Sequence, residues 1–309
     1  MDFQIIIGQI VSLFILIFIG YYLRKTNYFN ENNMVAISKL LMDLILPAMI
    51  ISSLQIELNK NLISNIKTII IYWFIFYFFL IIASNTISKF FPLPKSKKLI
   101  IKFFIIFGNV GYMGMPVADT LFPENGLLYA ALGLIPFNLI VWTYGVRLFI
   151  DDSDELDFNF RSILNNGLIA IFIGLFLMIT GLKLPLPLES AVDMLGNATF
   201  PLSMLVIGSS LAKIQLKKIF TDINLIVFSI IKLLIIPAAA FLVLFYFEVD
   251  NQIRSILTLQ MGMPAASYGV IFAEIYNGDH SYAAESLFIS TFFAAVTIPA
   301  ISYLILSFN

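Results

Sequence analysis

The amino-acid sequence predicts an all-α integral membrane protein, with ten transmembrane helices arranged as two inverted five-helix repeats. Three observations predict this fold class: the chain is strongly apolar, its apolar stretches are long enough to span a membrane, and short patterns recur at a nearly constant offset. Of its 309 residues, 60% are hydrophobic and only 12% are charged, and the mean hydropathy is +0.95. A soluble domain of this size carries about twice that charged fraction.

Ten apolar stretches reach the roughly 20 residues that a helix needs to cross the hydrocarbon core of a bilayer. We number them spans one to ten, and they lie near residues 3–23, 34–54, 63–87, 99–122, 126–149, 162–181, 190–211, 222–247, 252–275 and 283–307. The connections between them are short and polar. The predicted organisation is a first repeat over residues 1–150, an acidic linker over 151–161 and a second repeat over 162–309.

The distribution of lysine and arginine predicts the orientation in the membrane, because cytoplasmic loops carry an excess of positive charge. Loops after odd-numbered spans, with the adjoining helix ends, hold thirteen such residues: Arg24, Lys25, Lys39, Lys89, Lys95, Lys97, Lys98, Lys102, Arg147, Arg161, Lys213, Lys217 and Lys218. The opposite side holds four, namely Lys60, Lys67, Lys183 and Arg254. We therefore expect the odd-numbered loops and the 151–161 linker in the cytoplasm, and both termini outside.

An internal repeat is visible at an offset of 153 or 154 residues. The matches are Phe18-Ile19-Gly20 with Phe172-Ile173-Gly174, Pro47 with Pro201, and Tyr129-Ala130-Ala131 with Tyr282-Ala283-Ala284. Each half contains five spans, and an odd number of crossings places the second half upside down relative to the first. The predicted arrangement is therefore an inverted repeat.

Spans four and nine each contain residues that break a helix. Span four reads Gly-Asn-Val-Gly-Tyr-Met-Gly-Met-Pro over Gly108–Pro116, and span nine reads Gln-Met-Gly-Met-Pro over Gln260–Pro264. Glycine loosens the helical backbone, and proline removes an N–H group and clashes with the preceding turn. Two interrupted spans in matching positions of two halves are typical of the substrate site of a membrane transporter.

Motifs in both halves also resemble those of one known family. They are Gly108–Pro116, Asn138 with Trp142, Pro264-Ala265-Ala266, Phe272-Ala273-Glu274-Ile275-Tyr276 with Asp279, and Ser290-Thr291 with Pro299. With these residues the chain resembles the auxin efflux carrier family, which includes plant auxin exporters and bacterial malate or malonate permease-like proteins. The resemblance extends from span one to span ten, and the bacterial branch fits better because no long loop separates the halves.

The resemblance implies the fold of sodium/proton antiporters and bile-acid transporters, in which broken helices four and nine cross. It implies a homodimer in the plasma membrane and an elevator-like motion of a transport domain against a scaffold, each drawn from both repeats. The implied activity is secondary transport of small organic anions, either malate- or malonate-like carboxylates or auxin-like acids. No cofactor is expected beyond a coupled proton or sodium ion, and a net charge of −1 argues against a nucleic-acid partner.

A break inside the membrane favours anion binding, because the second half-helix presents unpaired N–H groups and a positive dipole end. Pro116 and Pro264 suit the first turn of these second halves, where a missing N–H group is harmless. The candidate substrate-binding residues are Asn109, Gly111, Tyr112, Gly114, Pro116, Asn138, Gln260, Pro264, Ala265, Ser267 and Tyr268. The alternative is that the breaks only let helices cross closely, with the amides capping freed backbone groups.

Ionisable residues within spans are candidates for ion coupling. Asp43 in span two and Lys232 in span eight lie at similar predicted depth and could pair, although Lys39 is an equally available partner for Asp43. We favour a buried structural ion pair for Asp43 over a coupling role. Glu274 is a further candidate, but solvation at the cytoplasmic end of span nine explains it as well.

Two other classes of function remain as alternatives. A cation/proton antiporter of the same fold uses paired carboxylates at the helix crossing, whereas the breaks here contain Asn109 and Gln260 but no acid. An intramembrane hydrolase needs a pair of aspartates, a serine dyad or a metal cluster at midplane depth. The chain has no cysteine, and its single histidine, His280, lies near a membrane surface. We therefore expect a transporter and not an enzyme.

Overall fold

The computed structural model describes residues 3–57, 59–150, 165–212, 221–276 and 278–308. Its first-half helices are α1 (Phe3–Lys25), α2 (Glu31–Leu40), α3 (Leu46–Ser53), α4 (Lys60–Ile87), α5 (Lys95–Ile106), α6 (Met115–Leu121), α7 (Gly126–Leu132) and α8 (Leu134–Ile140). The second-half helices are α9 (Asn166–Thr180), α10 (Leu186–Asn197), α11 (Thr199–Leu211), α12 (Ile223–Ile230), α13 (Ile236–Tyr246), α14 (Asn251–Met261), α15 (Tyr268–Ile275) and α16 (His280–Ser307). The predicted linker at 151–161 lies outside the described residues.

Helical segments occupy all ten predicted spans. Within the described residues, six stretches are long and apolar enough to cross a membrane: Asn32–Ser53, Lys60–Phe90, Gly126–Gly145, Leu186–Ser209, Ile223–Tyr246 and His280–Ser307. Spans four and nine are interrupted, and α9 in span six is a shorter apolar helix of 15 residues. The structure is thus that of a helical membrane protein, while the inverted ten-helix arrangement stays a prediction.

Prolines explain most of the irregular helical turns. In the described part of the chain, π-helical turns lie at Leu41–Ile45, Val110–Gly114, Val141–Gly145 and Ile231–Ile235. Three of them precede an α-helix whose second residue is a proline, namely Pro47, Pro116 and Pro237. Proline donates no hydrogen bond, and its ring clashes with the carbonyl group four residues earlier. A wider turn bonded to the fifth residue back avoids that clash.

The carbonyl group that Pro47 frees belongs to Asp43, and Asn166 contacts it from α9. The Asn166 Nδ2 atom lies 3.5 Å from the Asp43 backbone oxygen and donates to its carboxylate at 3.0 Å. Asp43 is exposed, and no ion pair joins it to Lys39 among the described residues. The predicted buried ion pair is therefore wrong. An asparagine, not a cation, provides the partner, because one amide can bind both oxygens.

Contacts divide the chain into two compact units, and each unit draws on both halves of the sequence. Unit 1 comprises Met1–Thr68, Gly111–Leu134 and Leu164–Lys213. Unit 2 comprises Ile69–Val110, Ile135–Ile163 and Ile214–Asn309. The chain passes from unit 2 to unit 1 inside the π-helical turn of span four.

In unit 1, glycines let α1 and α11 approach backbone to backbone. A Cβ atom on Gly20 would overlap the carbonyl group of Leu205, and one on Gly208 would overlap that of Ile17. Gly174 of α9 similarly packs against the Leu54 side chain. In the 154-residue register of the predicted repeat, Gly20 of α1 corresponds to Gly174 of α9, and both glycines are sites of close packing in unit 1.

This packing predicts that Gly20→Ala destabilises the protein, since the added methyl group meets backbone that cannot move aside. Overpacking of this kind costs about 1–3 kcal/mol, so we expect a lower unfolding temperature in detergent. Gly8→Ala is the matched control, because Gly8 lies in the same helix and has nothing within 4 Å of an added Cβ atom. Equal unfolding temperatures for the two variants would contradict the close helix contact.

Candidate substrate site

The two broken spans are interrupted over different lengths. In span four, α5 ends at Ile106 and helix resumes with the π-helical turn at Val110, so the interruption covers residues 107–109. In span nine, residues 262–267 separate α14 from α15. Pro264 therefore lies in the connection and not in the first turn of the second half-helix, which corrects the prediction.

The two interruptions pair with each other through their backbones. The contacts are an antiparallel bridge between Gly108 and Ala265, a hydrogen bond from the Asn109 N–H to the Pro264 carbonyl (2.7 Å) and one from the Ala266 N–H to the Phe107 carbonyl (3.2 Å). In lipid, each backbone group left without a partner costs several kcal/mol. Each broken span thus supplies partners for groups that the other break has freed.

A residue of span ten supports the same junction. The Ala265 N–H donates to the Ser290 hydroxyl at 3.2 Å, and that hydroxyl donates to the Leu287 carbonyl of its own helix at 3.0 Å. The sequence points to Ser290 only as part of a family motif and does not indicate this role. We refer to residues 107–109 and 262–267, joined in this way, as the junction.

Gln260 brings an unsatisfied polar side chain to within two residues of the junction. Its relative exposure is 0%, and neither its amide nitrogen nor its amide oxygen has a hydrogen-bond partner among the described residues. A buried polar group without a partner costs about 1–3 kcal/mol. Of the predicted substrate-binding residues, Gln260 therefore offers the clearest capacity to bind a polar ligand.

Asn109 and Asn138 are buried in the same unit. Asn138 follows Phe137 in α8, and the Phe137 ring lies between the rings of Phe107 (5.8 Å) and Tyr268 (5.8 Å). Tyr268 and Ser267 are partly exposed at the start of α15. The Tyr268 ring is 5.9 Å from that of Trp142, another residue of the family motif. Aromatic packing thus fixes one side of the junction.

Lys232 lies in the π-helical turn of span eight and is buried, with a relative exposure of 1%. Its ammonium group donates to the Ile105 carbonyl at 3.3 Å, next to the end of α5. No carboxylate lies within ion-pair distance of it among the described residues, so the predicted pairing with Asp43 is not found. The C-terminal end of a helix carries partial negative charge, which stabilises a cation there.

The remaining predicted residues of span four belong to unit 1. Gly111, Tyr112 and Gly114 lie in the π-helical turn, and Pro116 is the second residue of α6, which continues that turn. The first turn of a helical segment has N–H groups that its own hydrogen-bond ladder does not use. These four predicted residues therefore all lie in helical segments, and the non-helical interruption precedes them.

The Glu274 side chain is exposed, as expected for a residue at the solvated end of span nine. Its carboxylate lies 3.9 Å from the His280 ring, and the two side chains are 75% and 53% exposed. Nearby, Asp279 accepts a hydrogen bond from the Tyr282 N–H at the start of α16 and lies 3.9 Å from the Lys97 ammonium group. Exposed pairs of this kind contribute little stability.

Unit 1 contains a cavity of about 370 Å³ that the sequence does not predict. Its polar wall includes Ser52, Asp119, Glu124, Asp193 and Asn197. The Ser52 hydroxyl donates to the Asp193 carboxylate. Three of these residues are acids within or next to predicted spans, namely Asp119, Glu124 and Asp193, and they were the available signal. Asp119 and Glu124 are exposed.

Comparison with known proteins identifies the family. A family model described as "Membrane transport protein" matches residues 5–159 and 155–302. An uncharacterized transporter of Methanocaldococcus jannaschii is 25% identical over 96% of this chain and 98% of its own. An uncharacterized transporter of Escherichia coli K12 is 20% identical over 95% of each chain. A Rhizobium meliloti protein named "Putative malonate transporter" is 24% identical over 98% of this chain and 96% of its own.

The family and these relatives are membrane transporters and not enzymes, so the prediction that the chain is not an enzyme is confirmed. The matches cover nearly the whole chain and include both breaks. The chain is a member of the auxin efflux carrier family of membrane transport proteins.

Proposed function

We propose that the chain is a secondary transporter of small organic anions, and that malonate-like carboxylates bind at the junction of the two broken spans. The observation that carries this proposal is the unsatisfied amide of Gln260, fully buried beside the junction. Native structures retain such a group where a ligand or another partner completes its hydrogen bonds. In a family of transporters, the cargo is the natural partner.

The chemistry of the junction favours a carboxylate. The amides of Gln260 and Asn109 can donate hydrogen bonds to it, and no acidic residue occurs at 107–109 or 262–267 to repel it. The same lack of acids disfavours a cation/proton antiporter, which needs carboxylates at the crossing. The name of the Rhizobium meliloti relative supports a dicarboxylate of malonate size.

Further parts of the proposal rest on the family resemblance and on the distribution of positive charge. The resemblance supports alternating access of the elevator type, a homodimer and a location in the plasma membrane. The excess of lysine and arginine supports a cytoplasmic location for the odd-numbered loops. A proton or sodium ion is coupled to transport, and the candidate groups for that ion are Asp43, Lys232 and Glu274. The exposure of the Asp43 and Glu274 side chains makes them weaker candidates than the buried Lys232.

We expect malonate to stabilise the purified protein and to be taken up by proteoliposomes, whereas Asn109→Ala abolishes uptake without unfolding the protein. A ligand raises the unfolding temperature by mass action, so malate, malonate and indole-3-acetate can be ranked by thermal shift at several pH values, with and without sodium. If none of the three acids shifts the unfolding temperature or is transported, the proposed cargo is wrong.

We expect Gln260→Leu to reduce malonate uptake strongly without lowering the unfolding temperature. Replacing an unsatisfied polar group by an apolar one of similar size is neutral or stabilising for the fold. Thr258→Val is the matched control, because its hydroxyl is also buried and unpartnered on α14. Normal uptake by the Leu variant would remove Gln260 from the site.

The predicted orientation in the membrane can be tested by labelling single introduced cysteines, because the chain has no cysteine of its own. We expect Lys183→Cys to react with a membrane-impermeant maleimide in intact cells. Lys95→Cys, on the side with more positive charge, should react only after permeabilisation. Both lysines are exposed, so access across the membrane decides the result. The reverse labelling pattern would invert the predicted topology.

A further inference from the structure

Among the described residues, the Lys232 ammonium group lies beside the junction with no carboxylate near enough to balance its charge. The group is buried in unit 2 and reaches the Ile105 carbonyl, one residue before the end of α5. A Cβ atom placed on Gly108 would lie 3.3 Å from the Lys232 Nζ atom and 3.1 Å from the Met263 carbonyl oxygen. The ammonium group therefore lies directly against the junction, and Gly108 leaves space beside it.

The partners described for this ammonium group are too weak to balance it. A helix end carries about half an elementary charge, whereas the side chain carries a full one. An ammonium group has three hydrogen-bond donors, and the Ile105 carbonyl accepts from one of them. Burying an ion without an opposite charge costs several kcal/mol even after relaxation. An anion at the junction would supply the missing charge and the missing acceptors.

We propose that Lys232 determines the charge of the cargo, by forming a charge-assisted hydrogen bond with a carboxylate held at the junction. This inference rests on the proposed function and deepens it. An amide such as that of Gln260 carries no charge, so it can also bind a neutral acid, an ester or an amide. The protonated lysine binds the anion and disfavours neutral molecules of the same shape, because a neutral cargo leaves its charge unbalanced. Lys232 is thus a specificity-determining residue.

The test compares four forms of the purified full-length protein: wild type, Lys232→Met, Lys232→Arg and Lys183→Gln. Methionine has similar length without charge, arginine keeps the charge, and Lys183 is an exposed loop lysine that serves as the matched control. Affinity is measured by thermal shift with potassium malonate, potassium sulfate and neutral malonamide, at an ionic strength fixed with potassium chloride. Malonamide has the shape of malonate without its charge.

We expect wild type, Lys232→Arg and Lys183→Gln to bind malonate in preference to malonamide. Lys232→Met should bind malonate about 10- to 100-fold more weakly, since a hydrogen bond to a charged group is lost. It should also lose the preference for malonate over malonamide. Unchanged malonate binding by Lys232→Met would overturn the inference and leave the proposed function intact. An equal loss of malonate binding in the Met and Arg variants would also overturn the inference and leave the proposed function intact.

Sulfate separates the two proposals. If sulfate stabilises wild type but not Lys232→Met, while malonate stabilises neither, then the anion site at Lys232 stands and the proposed organic cargo is wrong. If neither anion stabilises wild type, both proposals fail. A marked fall in the unfolding temperature of Lys232→Met without ligand, with malonate binding retained, would show that the lysine only secures the end of α5.

Discussion

The structure of unit 2 depends on the backbone pairing between two broken helices. A helix satisfies its own N–H and C=O groups, so an interruption inside a membrane leaves several of them without partners. Here the residues around Gly108 and those around Ala265 use each other, and Ser290 accepts one further N–H group. Each break thus satisfies backbone groups of the other. The pairing connects the end of α5 to the segment between α14 and α15, and Ser290 connects that segment to α16.

Polar side chains near the breaks differ in how completely they are satisfied, and this difference separates structural from functional candidates. Asp43 accepts a hydrogen bond from Asn166, which also contacts the carbonyl group freed by Pro47. That contact gives the Asp43 carboxylate a partner within the protein. Gln260 and Lys232 retain unused hydrogen-bonding capacity in the interior of unit 2. A membrane protein tolerates such groups mainly where function requires them.

Local chemistry accounts for the part of the structure that the sequence could predict. Hydropathy located helical segments in all ten spans, glycine and proline marked both breaks, and the motifs identified the family. The extent of each break could not be predicted, because it depends on pairing between distant residues. Pro264 illustrates this: it begins no helix, since its carbonyl is held by the Asn109 N–H. The Asn166 contact and the cavity lined by Asp193 likewise arise only from tertiary packing.

The bridge between Gly108 and Ala265 also has a mechanical consequence. Sliding or bending one broken span alone would rupture two backbone hydrogen bonds in a medium that offers no replacement. Within unit 2, the first part of span four and the connection in span nine are therefore expected to move together. Val110 is the last residue of this part of unit 2 and the first residue of a π-helical turn. Any displacement of the first part of span four thus also displaces the span-nine connection.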